Sequence, residues 1–372
     1  MMAAAGVKRP RERIKIAFTQ DYEETSLLGE GGFGVVVKAR HRVTGEAVAI
    51  KRVRYSDDDE GRNKQQAQRE LMQEAQFLDA CKGVPFLVGY HGLARDLATS
   101  DLCLLMEFVS GPSLHTYLSD DDKPPLRERT VRSLMWQLLT GARYMHQRLV
   151  VHRDIKPGNI LFDGNKNVKI CDLGLALFTK LPPPYAQVGT LPYMAPEMLL
   201  GKTDYDERVD TWSLGCVMAE LILRRPLFES DYDDDSDEEE VGQLVAIFDV
   251  LGVPDGRTWR GFKSLPLAAE VTKKLHKKQR RKNRLRDMFP EETLSKEGFE
   301  VLSGLLTSNP NKRLTASAAL KMPWFNFSKV VEELSLPQKN KEMATVPPPA
   351  VHKRKRIVII PPAMPNVLLA AA

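Results

Sequence analysis

The sequence of 372 residues contains only four cysteines, and no two of them form a Cys-x-x-Cys pair. Scattered thiols argue against a disulfide framework and a zinc site, and they are typical of a reducing compartment. The seven histidines do not group with cysteines or carboxylates at metal-ligand spacing. No apolar run approaches the roughly 20 residues of a membrane span, and the N-terminal residues lack a signal peptide's apolar core. We therefore expect an intracellular protein without membrane contact.

Charge is not evenly distributed, although the formal net charge is only +5. Residues 231–240 (DYDDDSDEEE) carry eight acidic side chains, and residues 273–286 (KKLHKKQRRKNRLR) carry nine basic side chains and no acidic one. Each block is interpreted either as a solvated surface or as a functional one. The functional interpretation of the acidic block is a docking surface for a partner. That of the basic block is a nuclear-import signal or a nucleic-acid-binding surface.

Nucleic-acid binding is the weaker of these interpretations, because the basic block has no interleaved aromatic residues and matches no nucleic-acid-binding module. Two more basic clusters, at 8–13 (KRPRER) and 352–356 (HKRKR), have the composition of import signals. The sequence therefore predicts a nuclear location, with the cytoplasm as a further one.

Hydrophobic periodicity divides the chain into a small β-rich part and a larger helical part. Runs rich in β-branched residues begin at Tyr22, one helical segment follows, and helical periodicity dominates after a turn at Ser110–Pro112. The last part of the chain is rich in Pro and Lys, which is typical of disorder. We find no internal repeat. The predicted organisation is a flexible basic arm (1–21), a first lobe (22–108), a second lobe (109–327) and a disordered tail (328–372).

Three glycines, Gly29, Gly31 and Gly34, form a G-x-G-x-x-G pattern with Val36 two residues later. The pattern alone is a weak signal, since a glycine-rich hairpin without a ligand would also contain it. A dinucleotide-binding fingerprint should open onto a helix, whereas a strand-like run, VVVKARH, follows here. We interpret the segment as a β-hairpin flap whose backbone amides can cover phosphates.

A lysine at the end of a strand-like run, Lys51 in VAIK, is the first candidate for binding those phosphates. A strand lysine is more often a solvated surface cation. A phosphate-binding lysine has a flexible stem, so it needs a carboxylate to hold it in place. The following helix offers Glu70 and Glu74 for that purpose.

The segment VVHRDIKPGNILF sets Asp154, Lys156 and Asn159 within six residues, between a helix and a strand. A carboxylate, a cation and an amide together suit proton acceptance, phosphate neutralisation and metal coordination. A chance polar loop remains the alternative. Asp172 then follows the run VKIC, where a carboxylate can ligate a hard cation such as Mg²⁺.

Taken in order, seven motifs resemble those of the protein kinase family over roughly residues 22–327. The form HRDIKPGN, with Lys156, resembles the Ser/Thr-specific branch. The resemblance implies an α+β, two-lobed fold: a small antiparallel β-sheet lobe with one helix, and a larger, mainly helical lobe. It implies transfer of the ATP γ-phosphate to Ser/Thr hydroxyls of protein substrates, with a pseudokinase scaffold as the alternative. The motifs are the glycine hairpin, VAIK, HRDIKPGN, DLG, APE, DTWSLG and NKRLTASAALKMPWF.

The resemblance also assigns roles to single residues. The implied cofactors are ATP and Mg²⁺, with Mg²⁺ held by Asn159 and Asp172. Glu74 is favoured over Glu70 as the partner of Lys51, and Glu197 is expected to form a buried pair with Arg313. The implied catalytic residues are Asp154, Lys156, Lys51, Glu74 and Thr190. The implied nucleotide-binding residues are Leu28, Gly29, Glu30, Gly31, Gly32, Phe33, Gly34, Val36, Ala49, Lys51, Glu107, Val109 and Leu161, with Met106 behind the adenine.

Within that family, segments such as VDTWSLGCVMAEL and QLVAIFDVLGVPDGRTWRGFKSLP resemble the cyclin-dependent kinase group, in particular its plant class F. The chain departs from the group at several points. The helix QQAQRELMQE is not the group's cyclin-binding sequence, which puts a cyclin partner in doubt. Gly32 and Phe33 replace an inhibitory Thr-Tyr pair, and Leu177 replaces an arginine. LPYMAPE replaces the group's WYRAPE, which weakens any claim of proline-directed substrates.

The stretch TKLPPPYAQVGTLPYMAPE is then the activation segment, in which Thr190 lines the approach of the substrate hydroxyl. The resemblance places Tyr185 where the group has its activating threonine. Pro182, Pro183 and Pro184 restrict the segment before any modification. We therefore expect activity without threonine phosphorylation, and expect Tyr185 to pack or to form a hydrogen bond. The alternative is that Thr179 or a phosphorylated Tyr185 acts as the switch.

Overall fold

The computed structural model describes residues 16–31, 34–55, 63–163, 167–229, 239–276 and 282–326. Several sequence predictions concern residues outside these ranges. They are the roles of Gly32 and Phe33, the arm before residue 16, most of the acidic block, the middle of the basic block and the tail.

The N-terminal lobe is built on a six-stranded sheet with strand order β1-β5-β6-β4-β3-β2. Neighbouring strands run antiparallel except for β1 and β5, which are parallel. Alternation along β4 sends Val48 and Ile50 to a small core on one face, and Ala49 to the face that continues into the main core. The strands are β1 (Ile16–Phe18), β2 (Tyr22–Gly31), β3 (Gly34–His41), β4 (Ala47–Arg52), β5 (Tyr90–Arg95) and β6 (Leu102–Glu107).

Strand β1 corrects the predicted domain boundary, which places residues 16–21 in the flexible arm. Ile16–Phe18 pairs with Leu93–Arg95, and Thr19 is buried with its hydroxyl on Asp96 at 3.1 Å. Backbone hydrogen bonds hold this strand, while the Ile16 and Phe18 side chains remain about 40% exposed (40% and 43%). Three residues without a buried face carry no periodic signal, so hydrophobic patterning alone missed the strand. The added strand also makes the sheet mixed rather than purely antiparallel.

One helix, α1 (Lys64–Ala80), packs against this sheet. Asn63 caps its N-terminus by accepting a hydrogen bond from the Gln66 amide at 3.0 Å. Its buried face includes Ala67, Leu71 and Ala75, a spacing that follows the helical repeat. Glu74 lies on the same buried face, so the helix carries a carboxylate into the interior.

The C-terminal lobe is mainly helical, and its centre is α5, which is buried continuously from Val209 to Leu221. Trp212 stacks on Phe228 there, with ring centroids 5.6 Å apart. None of the helices within the described ranges is both long and apolar enough to cross a bilayer. The helices are α2 (Leu114–Leu118), α3 (Glu128–Gln147), α4 (Pro196–Leu199), α5 (Arg208–Leu223), α6 (Glu239–Leu251), α7 (Ala268–His276), α8 (Leu285–Met288), α9 (Lys296–Leu305) and α10 (Ala316–Ala319).

Four short strands lie where the helical lobe meets the sheet, and they position two polar loops. They form the antiparallel pairs β8–β9 and β7–β10. The loop between β7 and β8 contains Asp154, Lys156 and Asn159, and Asp172 lies two residues after the end of β9. The pairing of Ile160 with Ile170 brings both loops to one edge of the lobe. The strands are β7 (Val150–Val151), β8 (Ile160–Phe162), β9 (Val168–Ile170) and β10 (Leu177–Phe178).

The expected buried pair of Glu197 and Arg313 is confirmed. The two guanidinium nitrogens Nη1 and Nη2 of Arg313 donate to the two carboxylate oxygens at 2.6 and 2.7 Å, and both side chains are at most 1% exposed. Arg313 also donates to the backbone carbonyl of Arg208 at 2.9 Å. The pair thus joins the start of α4 to the residue that begins α5.

Replacing Arg313 with Met should lower the free energy of unfolding by about 3–5 kcal/mol, since the Glu197 carboxylate would remain buried without its partner. Chemical denaturation of the purified chain measures the change. A matched control is Arg225→Met, which removes a surface pair with Glu229 whose atoms are 3.9 Å apart and should cost under about 1 kcal/mol. Equal losses for both variants would contradict the assignment of Glu197–Arg313 as a structural pair.

Candidate active site

A cavity of about 650 Å³ lies between the sheet and the helical lobe. Every predicted nucleotide-binding residue that the structure describes lines it. No role is predicted from the sequence for the remaining residues of the wall. The unidentified lining residues are Val88, Gly111, Pro112, Ser113, Thr116, Gly158 and Cys171.

The glycines of the β2–β3 hairpin differ in the reason why a side chain is absent. Gly34 has a φ of +143°, and a Cβ atom there would lie 1.9 Å from the carbonyl oxygen of Arg52 in β4. The close approach of β4 is therefore sufficient to require glycine at this position, whether or not a ligand binds. A Cβ atom on Gly29 or Gly31 would meet no atom within 4 Å. Both line the cavity, so their bare backbone leaves space for a ligand to approach closely.

Three charged side chains meet at the inner end of the cavity. The Lys51 Nζ atom lies 2.8 and 3.0 Å from the carboxylate oxygens of Glu74 and 2.8 Å from Oδ1 of Asp172. The favoured partner of Lys51 is therefore confirmed as Glu74, and Glu70 lies outside this contact. Burial acts to lower the pKa of Lys51, but the two carboxylates outweigh it and raise that pKa above its ordinary value. Lys51 stays a fixed cation at neutral pH.

A second cluster surrounds Asp154. Its Oδ1 atom accepts a hydrogen bond from the Thr190 hydroxyl at 2.6 Å, and its Oδ2 atom lies 3.0 Å from the Lys156 ammonium. Lys156 also donates to the Thr190 hydroxyl at 2.7 Å. The Asn159 amide nitrogen donates to the backbone carbonyl and to Oδ2 of Asp154 at 2.8 and 3.0 Å. One carboxylate is thus held from three sides, and all four predicted residues come together.

Asp210 holds the backbone of this loop, a task that sequence reasoning did not assign to it. Its fully buried carboxylate accepts hydrogen bonds from the amides of His152 and Arg153 at 2.9 and 2.8 Å, and it contacts His146 at 2.8 Å. Burial acts to raise the pKa of Asp210, but hydrogen bonds outweigh it and lower that pKa. The Asp210 contacts accompany a left-handed φ of +70° at Arg153, directly before Asp154.

The activation segment contacts the helical lobe through Tyr185. Its amide donates to the Thr203 carbonyl at 2.8 Å, and its hydroxyl donates to the Leu181 carbonyl at 2.7 Å. Its ring lies 5.4 Å from the ring of Tyr205, centroid to centroid. The expectation that Tyr185 packs and forms a hydrogen bond is confirmed.

The strand end that leads into the linker between the lobes is fixed at Glu107. Its amide donates to the Gly89 carbonyl at 2.9 Å, while its carboxylate accepts from the Gly89 amide at 3.0 Å and binds the Lys169 ammonium at 2.7 Å. Lys169 belongs to β9 of the helical lobe. The Glu107 side chain therefore links the sheet to β9 of the helical lobe.

Comparisons with known proteins agree with this geometry. The family model described as the protein kinase domain matches residues 22–325. The chain is 42% identical to a rice (Oryza sativa subsp. japonica) protein named "Putative cyclin-dependent kinase F-2", over 82% of this chain and 89% of the relative. It is 38% identical to "Cell division control protein 2 homolog 3" of Trypanosoma brucei brucei, over 82% of this chain and 92% of the relative. It is 36% identical to rice (subsp. indica) "Cyclin-dependent kinase G-2", over 88% of this chain but 44% of the relative. The chain belongs to the protein kinase family, as a serine/threonine kinase of the cyclin-dependent kinase-like group.

Proposed function

We propose that Asp154 is the base of the phosphoryl transfer and that Lys156 and Thr190 orient the reacting groups around it. The observation that carries this proposal is the triangle of hydrogen bonds among these three side chains. A substrate Ser or Thr hydroxyl donates to the Asp154 carboxylate beside the Thr190 hydroxyl. Its oxygen attacks the γ-phosphorus, its proton passes to Asp154, and the bond from the γ-phosphorus to the bridging oxygen of ADP breaks.

Lys51 and the β2–β3 hairpin hold the rest of the nucleotide in this proposal. Lys51 binds the α- and β-phosphates, and Glu74 keeps its ammonium in position. The backbone of Gly29 and Gly31 covers the phosphates, since no side chain occupies that space. Val36, Ala49 and Leu161 enclose the adenine. Phosphoryl transfer needs little covalent help, so positioning and charge neutralisation supply most of the rate.

Asn159 and Asp172 are the proposed ligands of Mg²⁺. Kinases use ATP with a divalent cation, and these residues offer amide and carboxylate oxygens, the donors that Mg²⁺ prefers. The Asn159 amide nitrogen is committed to Asp154, which leaves its amide oxygen for a cation. A cation bound there would offset the negative charge of the phosphates.

The protein substrate is expected to present a Ser or Thr side chain, and the chain is expected to act as an active enzyme rather than a pseudokinase scaffold. The names of its relatives make a cyclin a candidate partner. The α1 helix argues against a strict requirement for one, because Glu74 already contacts Lys51 in the single chain. The outer face of α1 is also polar, with four exposed glutamines at positions 65, 66, 73 and 76.

One experiment tests these proposals together. Purified full-length protein is incubated with Mg-ATP and a library of Ser/Thr peptides, alone and with candidate cyclins, with Mn²⁺ and Ca²⁺ replacing Mg²⁺ in parallel arms. We expect phosphorylated peptides with Mg²⁺ and without a cyclin. Absence of phosphorylation in every arm, while nucleotide still binds, would favour the scaffold. Activity only with a cyclin would overturn the partner proposal alone.

The protein is also expected to enter the nucleus. Replacing every Lys and Arg of the clusters at 8–13, 273–286 and 352–356 with Gln should shift a fluorescently tagged full chain to the cytoplasm. A control with Gln at Lys82, Lys263 and Lys321, which are isolated lysines, should leave the distribution unchanged. Persistence of the nuclear signal in a folded triple-cluster variant would refute this location.

A further inference from the structure

The Arg153 guanidinium, next to the proposed base, is bound entirely by neutral acceptors in the described part of the chain. Its Nε atom donates to the Leu175 carbonyl at 2.6 Å, and Nη2 donates to the Ala176 carbonyl at 3.5 Å. Its Nη1 atom donates to the Tyr205 hydroxyl at 2.9 Å and to the Ala186 carbonyl at 3.4 Å. No carboxylate among the described residues comes within ion-pair distance of it.

The Tyr205 hydroxyl connects this arginine to the activation segment. It accepts from Arg153 and donates to the Ala186 carbonyl at 2.5 Å, and the residue is only 5% exposed. Burial raises the pKa of Tyr205, so its hydroxyl keeps the proton that it donates. The ring of Tyr205 also packs against that of Tyr185. The segment therefore contacts Tyr205 through both a carbonyl and a ring.

The connection continues to the proposed base over a short path. Arg153 precedes Asp154 directly, and its backbone is fixed at the amide by Asp210. The side chain of Arg153 contacts Leu175, shortly before the segment, and Ala186 within it. Thr190, which binds Asp154, lies four residues after Ala186. A displaced segment would move Thr190 away from the base.

We propose that Tyr205 is a positioning residue for phosphoryl transfer. Its hydroxyl holds Arg153 and residues 181–190 in the arrangement that the reaction needs, without covalent modification of the segment. The inference rests on the proposed role of Asp154. A phosphate group on the segment would have to displace the carbonyl and hydroxyl partners that Arg153 already has.

Replacing Tyr205 with Phe removes only the hydroxyl. The variant loses a hydrogen bond to the charged guanidinium of Arg153, and such bonds stabilise more than bonds between neutral groups. We therefore expect kcat to fall about ten- to a hundredfold. The KM for ATP should stay unchanged, because the nucleotide contacts lie elsewhere. Amide hydrogen exchange in residues 181–190 should become faster in this variant, a change that a merely stabilising role elsewhere in the lobe would not produce.

The test uses full-length protein made in bacteria, treated with phosphatase and confirmed as unphosphorylated by mass spectrometry. Tyr90→Phe is the matched control, because it makes the same chemical change in the sheet. Wild-type protein and the control should be active, with slow exchange in the segment. Three results would overturn the inference: wild-type protein inactive until an upstream kinase modifies the segment, Tyr205→Phe indistinguishable from wild type, or lost activity with unchanged exchange. If no form transfers phosphate under any treatment, the proposed function itself fails, and the exchange data still decide the role of Tyr205.

Discussion

Replacing Asp154 with Asn should lower kcat about 10²–10⁴-fold, the contribution of a positioned base. Asparagine has the same shape and can still accept a hydrogen bond from Thr190, but it cannot take a proton from the substrate. Nucleotide binding should remain close to wild type, since the phosphates and the adenine meet Lys51 and the cavity walls. Single-turnover transfer to a peptide and titration with a fluorescent nucleotide measure the two quantities separately.

A matched control for this variant is Asp255→Asn. Asp255 lies in an exposed turn, where it accepts backbone hydrogen bonds from Arg257 and Thr258. The same change of a carboxylate to an amide there should leave kcat within a factor of about two, because surface substitutions usually have small effects. An Asp154→Asn variant that keeps most of its turnover would remove Asp154 from the role of base.

The second large effect is expected for Lys51→Met, which should lower the transfer rate about 10²–10³-fold, the usual cost of removing one electrostatic stabiliser of a transition state. The phosphates lose their fixed cation. In addition, Glu74 and Asp172 lose the ammonium that lies between them. Burial raises the pKa of Glu74, whereas the charge of Lys51 lowers it. Without Lys51, we expect the pKa of Glu74 to rise further.

Titration of the nucleotide separates these consequences of the Lys51 change. We expect weaker binding as well as slower transfer, in contrast to Asp154→Asn. Lys82→Met, a change at an exposed lysine after α1, serves as the control and should behave as wild type. Wild-type rates in Lys51→Met would mean that another cation neutralises the phosphates.

Much of the site could be predicted from the sequence, because its residues lie in short motifs with local spacing. Asp154, Lys156 and Asn159 share one loop. The choice of Glu74 over Glu70 followed from the resemblance to the kinase family, because Phe77, Leu78 and the run VPFLVGY then fall where that family has apolar residues. In α1 of the structure, Glu74 lies on the same buried face as Leu71 and Leu78, in agreement with that choice.

Other features depend on contacts between distant parts of the chain, and no local pattern announces them. Asp210 binds the amide of Arg153, from which it is separated by 57 positions in the sequence. Tyr205 binds the side chain of Arg153 over a separation of 52 positions. Strand β1 is added to the sheet by backbone pairing, which is independent of side-chain type. The glycine pattern was also ambiguous, since Gly34 is required by packing while Gly29 and Gly31 leave room for a ligand.

The buried carboxylate of Asp210 has a consequence for how genetic data on this protein should be read. It lies inside α5 and has no exposed surface, yet it fixes the two amides that precede the proposed base. In a saturation mutagenesis screen, substitutions of Asp210 would therefore cluster with loss-of-function alleles of the site rather than with ordinary core substitutions. Abundance and activity measured on the same alleles would separate the classes. An Asp210→Asn allele should retain much of its protein level while losing function, because the amide keeps the side-chain shape but not the charge.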